Sequence, residues 1–88
     1  MASGKIEKQI RKVTDWYEFS ANSSLQKDVD LITIFPNKEI LYASVTYAYY
    51  SDGVTDWDVK YALTGNIITI KPSVTSTSYH VLITAIVR

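Results

Sequence analysis

The sequence predicts an all-β domain: a small antiparallel β-sandwich of about six to seven strands, preceded by a short N-terminal arm or helix. Three observations carry this reading. Apolar residues recur at every second position through most of the chain. Clusters of Asn, Gly, Pro, Ser and Asp interrupt the runs at short intervals. No helical period long enough to form a crossover separates them, so a parallel sheet, whose connections take a dozen or more residues, is excluded.

Eighty-eight residues make one domain, and a chain of this size hides only about 60–65% of the surface that its unfolded form exposes. The stability of a single copy is therefore expected to be thin. A 47% hydrophobic content with 20% charged residues is that of a globular chain. Nine basic and nine acidic residues cancel, which argues against the phosphate-driven electrostatics of nucleic-acid binding. With no Cys and a single His, disulfides, thiolate chemistry and a His-based zinc site fall away, and no cofactor is expected. No signal-peptide core and no run of about 18 apolar residues occur, so synthesis in the cytosol without membrane insertion is expected.

Residues 1–13 form a basic arm, with Lys5, Lys8, Arg11 and Lys12 against Glu7. Ile6, Ile10 and Val13 fall at the i, i+4, i+7 spacing of one helical face, a candidate anchor for a partner. The sandwich is expected over residues 14–88. Its first strand begins around Val13, with Val13, Asp15, Tyr17, Phe19 and Ala21 alternating against Thr14, Trp16, Glu18 and Ser20. Asn22-Ser23-Ser24 fits a glycosylation sequon, but without a secretory signal it is read as a turn.

Val29 to Phe35 reads as a second strand, apolar on both sides, which Pro36-Asn37-Lys38 stops. A third strand spans Glu39 to Tyr50, with Leu41, Ala43, Val45, Tyr47 and Tyr49 on one face. Ser51-Asp52-Gly53 turns the chain. Trp57 to Leu63 reads as a half-buried strand, with Trp57, Val59, Tyr61 and Leu63 inward and Asp58 and Lys60 in water. Thr64-Gly65-Asn66 then makes a hairpin with Ile67–Lys71.

The final run is the most informative. Tyr79, Val81, Ile83, Ala85 and Val87 lie on one side, Leu82 and Ile86 on the other, and no amphipathic helix follows to cover the second face. An identical neighbouring subunit is the expected cover.

Hydrolytic chemistry finds little support. His80 is the only imidazole, bracketed by apolar residues, and no nucleophile elbow, phosphate-cradling loop or metal-ligand pair is present. Asp52, Asp56 and Asp58 cluster near Gly53, but their spacing fails the EF-hand pattern and no metal is expected. A non-enzymatic protein is the expectation. The seven tyrosines are the larger excess. Broad apolar rings with a polar tip suit subunit interfaces and also sugar stacking. Leu82, Ile86, Tyr47 and Tyr49 are the candidate oligomer interface. Tyr50, Asp52, Asp56 and Trp57 are the candidate glycan or receptor contacts, with carboxylates accepting sugar hydroxyl protons and an aromatic face packing the ring.

The stretch Asp56-Trp57-Asp58-Val59-Lys60-Tyr61-Ala62-Leu63-Thr64-Gly65-Asn66-Ile67-Ile68-Thr69-Ile70, with Tyr79 to Arg88 after a Ser/Thr-rich loop, resembles the C-terminal β-sandwiches of bacteriophage tail-fibre and baseplate proteins. Tyr17 to Ser24 leading to Thr33-Ile34-Phe35-Pro36 is similar to the opening of the same module. The resemblance covers most of residues 14–88 and implies a virion protein, a homo-oligomer and usually a trimer, that fills a structural role or attaches to a host surface. On that reading residues 1–13 hold it to other virion proteins, and host cell-surface polysaccharide is a possible ligand. Because residues 1–13 stand where fibre proteins carry a longer shaft, a capsid decoration or head-fibre protein is the alternative, as is a stand-alone carbohydrate-binding module.

Overall fold

The alternating runs resolve into six strands in two antiparallel sheets of three, as seen in a computed structural model that describes residues 9–21, 26–73 and 75–88. The strands are β1 (Arg11–Ala21), β2 (Lys27–Asp30), β3 (Ile40–Tyr49), β4 (Lys60–Thr64), β5 (Ile67–Lys71) and β6 (Ser76–Val87). Sheet A has the order β1-β6-β3 and sheet B the order β2-β5-β4. The chain is an all-β sandwich.

Strand β6 is central in sheet A, and its alternation is as the sequence predicts. Tyr79, Val81, Ile83, Ala85 and Val87 are fully buried, and the residues between them are half-buried. The inward row meets Phe19 and Ala21 from β1, Ala43 and Ala48 from β3, and Val29, Ile68 and Ile70 from sheet B in one core. Small Ala residues at 43, 48 and 85 let backbones approach, and Tyr79, Ile68 and Ile70 fill the space between the sheets.

The β4–β5 hairpin also forms as read. Thr64 pairs with Ile67, leaving Gly65-Asn66 as a two-residue loop. Gly65 has φ 60° and Asn66 does not share the positive sign, which is the pattern of a type II′ turn.

Four features depart from the sequence reading. Val29–Phe35 is not one strand: β2 ends at Asp30 and a helical turn, α1 (Leu31–Ile34), follows. Asp30 is its cap, its Oδ1 accepting the Ile32 N–H at 3.0 Å, while the Thr33 hydroxyl donates to the Asp30 carbonyl at 2.6 Å. That local bonding competes with a sheet ladder and wins. Asn37 then takes φ 63° after Pro36, the pattern of a type II turn.

Strand β3 carries two bulges. Register slips between Ile40 and Tyr42 and between Val45 and Tyr47 each insert one residue and reverse the parity beyond it. The inward residues are therefore Ile40, Ala43, Val45 and Ala48, and Tyr47 and Tyr49 fall on the outer face with Tyr42 and Ser44. The single face expected for Leu41, Ala43, Val45, Tyr47 and Tyr49 does not exist.

Trp57 is not an inward strand residue. It is 85% exposed and sits with Asp58 in a turn ahead of β4, which starts at Lys60. Only Val59 and Leu63 of the four residues expected inward pack against the core, and Tyr61 remains exposed at the sheet edge.

Finally, β1 begins at Arg11, so Val13 belongs to a strand and Ile10 to the exposed segment just before it. The helical spacing of Ile6, Ile10 and Val13 does not describe residues 10–13, because pairing of Arg11 with Val87 and Val13 with Ala85 draws them into the sheet. Ile6 and the turn Asn22-Ser23-Ser24 lie outside the described residues.

Candidate functional site

Two surfaces gather the residues singled out in the sequence. The first is the outer face of sheet A, away from sheet B. Cross-strand register stacks Trp16, Leu82 and Tyr47 in one row and Glu18, His80 and Tyr49 in the next. Lys12, Ile86 and Tyr42 form a row farther along. Leu82, Ile86, Tyr47 and Tyr49 thus share one face, brought together by the bulge at Thr46, which sequence alternation alone does not reveal.

The rings on this face touch. Trp16 meets Tyr49 edge-on with centroids 5.6 Å apart and Tyr47 at 6.2 Å, and the His80 ring stacks on Tyr49 at 4.5 Å. Edge-to-face pairs of this kind contribute about 0.5–1.5 kcal/mol beyond area burial. Even so Trp16 stays 49% exposed, Tyr47 is exposed beside it, and Tyr42 is exposed farther along the face.

His80 also has polar neighbours that the sequence reading did not pair with it. Its Nε2 lies 3.0 Å from Ser78 Oγ and 3.9 Å from Glu18 Oε2, and the Ser78 hydroxyl donates to that same Glu18 oxygen. In a hydrolytic triad the acid holds Nδ1 and leaves Nε2 to draw the serine proton. Here Glu18 lies on the Nε2 side and takes the Ser78 proton itself, so the three groups form a surface hydrogen-bond cluster without the triad's division of roles.

The second surface is the loop end around residues 50–58. Asp56 is only 4% exposed and accepts four hydrogen bonds: from the Tyr79 hydroxyl (2.6 Å), the Ser73 N–H (3.0 Å), the Ser73 hydroxyl (2.8 Å) and the Asp58 N–H (3.0 Å). Burial pushes its carboxyl up, but the hydrogen bonds from Tyr79, Ser73 and Asp58 outweigh this and hold it below its ordinary 3.8. The same contact, with burial as the larger cause, pushes the Tyr79 hydroxyl far up. Burial likewise raises Tyr50, against a lowering hydrogen bond with Ser73.

Asp56 is therefore a structural tie between the turn, the β5–β6 connection and β6, and not the open sugar contact expected of it. Tyr50 is half-buried, its ring packed on Tyr79 at 5.7 Å and its hydroxyl bonded to Ser73. Asp52 accepts the Val54 N–H at 3.0 Å and caps its own turn. Of the four expected contacts, Asp52 and Trp57 are exposed, and Trp57, at 85%, is the one that offers an aromatic face to solvent at this loop end. Asp52, Asp56 and Asp58 do not converge on a point, and among the described residues no three His, Cys, Asp or Glu side chains are grouped to hold a metal ion.

Beside Trp57 a groove of about 130 Å³ runs between β3 and the turn, lined by Thr46, Tyr47, Thr55 and Val59 among others. Tyr47 Oη and Thr55 Oγ1 are 2.6 Å apart across it. No family model, curated protein or solved structure matches the chain. What the two surfaces do rests on their geometry.

Proposed function

We propose that the chain is a non-enzymatic structural subunit that works inside an assembly of its own copies, packed through the outer face of sheet A. The observation that carries this is the row of Trp16, Leu82 and Tyr47 beside Tyr49 and His80, an aromatic face with no element of the chain over it among the described residues. Large exposed apolar patches mark association surfaces.

The sheet edges favour face-to-face packing over edge pairing. Along β3 two bulges break the ladder, and near its end the bridge between Tyr49 and Thr55 and the Asp56 N–H bond to the Ala48 carbonyl (2.9 Å) cover the edge. On β1, Asp15 Oδ1 accepts the Trp16 N–H at 2.8 Å. Bulges and self-bonding edge charges discourage strand addition.

Area supports more than two copies. Three strands about 4.8 Å apart, paired side by side over His80–Val87 of β6, make a face of roughly 14 by 27 Å, about 400 Å² in projection. A stable association hides about 800 Å² per partner. In a ring each copy adds a second patch to this face and meets two neighbours, so the face need not carry the association alone, which favours a trimer over a two-fold pair. With the resemblance of residues 14–88 to phage sandwiches, the reading is a virion appendage, in the tail, baseplate or fibre, that contributes to host attachment.

The test is sedimentation over a wide micromolar range with matched thermal melts. A species about three times the chain mass, and a melt that rises with concentration, are expected. Leu82→Lys is expected to give folded monomer, since it puts a charge at the centre of the face. A wild-type protein that stays monomeric, with a melt independent of concentration, overturns the proposal.

A further inference from the structure

We propose that the groove beside Trp57 binds one ring of a neutral, hydroxyl-rich glycan, with the ring packed on the indole face. The groove shares Tyr47 with the rim of the face proposed for assembly but is centred on Trp57 in the turn before β4, and its test is read apart from that of the assembly.

A lone exposed Trp is ordinary on a protein surface. Trp57 differs because the backbone that carries it is fixed on both sides. The Asp56 N–H bonds to Ala48, Tyr49 bridges to Thr55, and the buried Asp56 carboxylate takes the Asp58 N–H while also gripping Ser73 and Tyr79. A side chain 85% in water is thus mounted on a turn held by a buried charge. A presenting group ordered in advance lowers the entropy lost on binding.

The lining selects the ligand chemistry. A floor of Val45, Ala48 and Val59 is apolar, and the walls offer hydroxyls. The Tyr47 and Thr55 hydroxyls share one hydrogen bond at 2.6 Å, which leaves the pair one O–H to donate and lone pairs to accept. Sugar hydroxyls need such mixed partners, and sugar C–H faces suit an indole. No Lys or Arg lines the groove, and Asp56 lies in its wall, so an anionic ligand meets no counter-charge. A cation is not favoured either, because the Asp56 carboxylate is already engaged by four donors. The volume of about 130 Å³ is below the ~300–1,000 Å³ of sites that enclose a whole small molecule. The groove therefore takes one residue of a longer chain.

The experiment is ¹⁵N-detected NMR titration of the full chain with neutral oligosaccharides: α-1,4-glucan, β-1,4-glucan, chitin-type and mannan-type chains. Choline and inorganic phosphate serve as charged comparisons. At least one neutral sugar is expected to shift the Trp57 indole N–H and the Thr55 and Thr46 amides saturably. Trp57→Ala is expected to weaken that binding about tenfold or more, while Trp57→Phe keeps part of it and both variants keep the wild-type fold and oligomeric state. The proposal is overturned if no neutral sugar moves the Trp57 signal at millimolar concentration, or if Trp57→Ala binds as well as wild type. Shifts centred on Trp16, saturation by choline or phosphate instead, or Trp57 shifts that follow protein concentration without sugar, overturn it equally.

Discussion

Replacing Asp56 with Ala tests the loop end most directly. The carboxylate is 4% exposed and accepts four hydrogen bonds. Hydrogen bonds to charged groups contribute about 1.5–3 kcal/mol each, and a buried donor left without its acceptor costs about 1–3 kcal/mol. The Tyr79 hydroxyl belongs to a fully buried residue, so its loss of partner is uncompensated. The Ser73 hydroxyl keeps its contact with Tyr50. The carboxylate's own desolvation, which opposes these gains, is relieved in the variant. The net cost is about 3–4 kcal/mol, a large share of the ~5–10 kcal/mol that holds a small domain. Urea unfolding at matched protein concentration reads the change. Tyr79→Phe alone is expected to cost about 1–2 kcal/mol, and the double variant less than the sum, since both remove the same bond. A change within about 0.5 kcal/mol for Asp56→Ala refutes the structural role, and loss of sugar binding at unchanged stability would return Asp56 to the ligand-contact role first expected.

Two further outcomes follow from the same bonding. Because the Asp56 carboxyl titrates below its ordinary 3.8 in the folded state, its contribution is fully present above that value and is lost as pH falls through the depressed one. Urea midpoints measured downward from pH 5 are expected to fall more steeply in wild type than in Asp56→Ala, and parallel curves refute the assignment. Asp30→Ala removes the acceptor for the Ile32 N–H and is expected to lower stability by about 1 kcal/mol, whereas Asp30→Asn retains most of it; equal losses in the two variants count against the cap.

Much of the fold was legible because it rests on period-two alternation. Strand β6 and the β4–β5 hairpin form where Tyr79–Val87 and Thr64-Gly65-Asn66 place them. What alternation hides are single-residue events. The bulges at Leu41 and Thr46 reverse parity, so Tyr47 and Tyr49 join Leu82 on a face that a strict count through β3 does not produce. Asp30 and Asp56 each use a carboxylate to bend the backbone, converting an apolar run into a helical turn and moving Trp57 from core to solvent. Asp at the edge of an apolar run was the available signal, since Asx bonding favours caps and turns. The Glu18, Ser78 and His80 cluster joins residues more than fifty positions apart, and nothing local announces it.

The central position of β6 sets the order of events during synthesis. β1 and β3 have no partner in sheet A other than β6, which is translated after both. Until residues 76–87 leave the ribosome, β1 and most of β3 wait without a ladder partner, and Arg11 must find Val87 far along the sequence. Contacts so distant along the chain make for millisecond-to-second folding, and the unpaired strands are an aggregation hazard in the interval. A nascent chain halted before β6 can assemble sheet B, but none of sheet A.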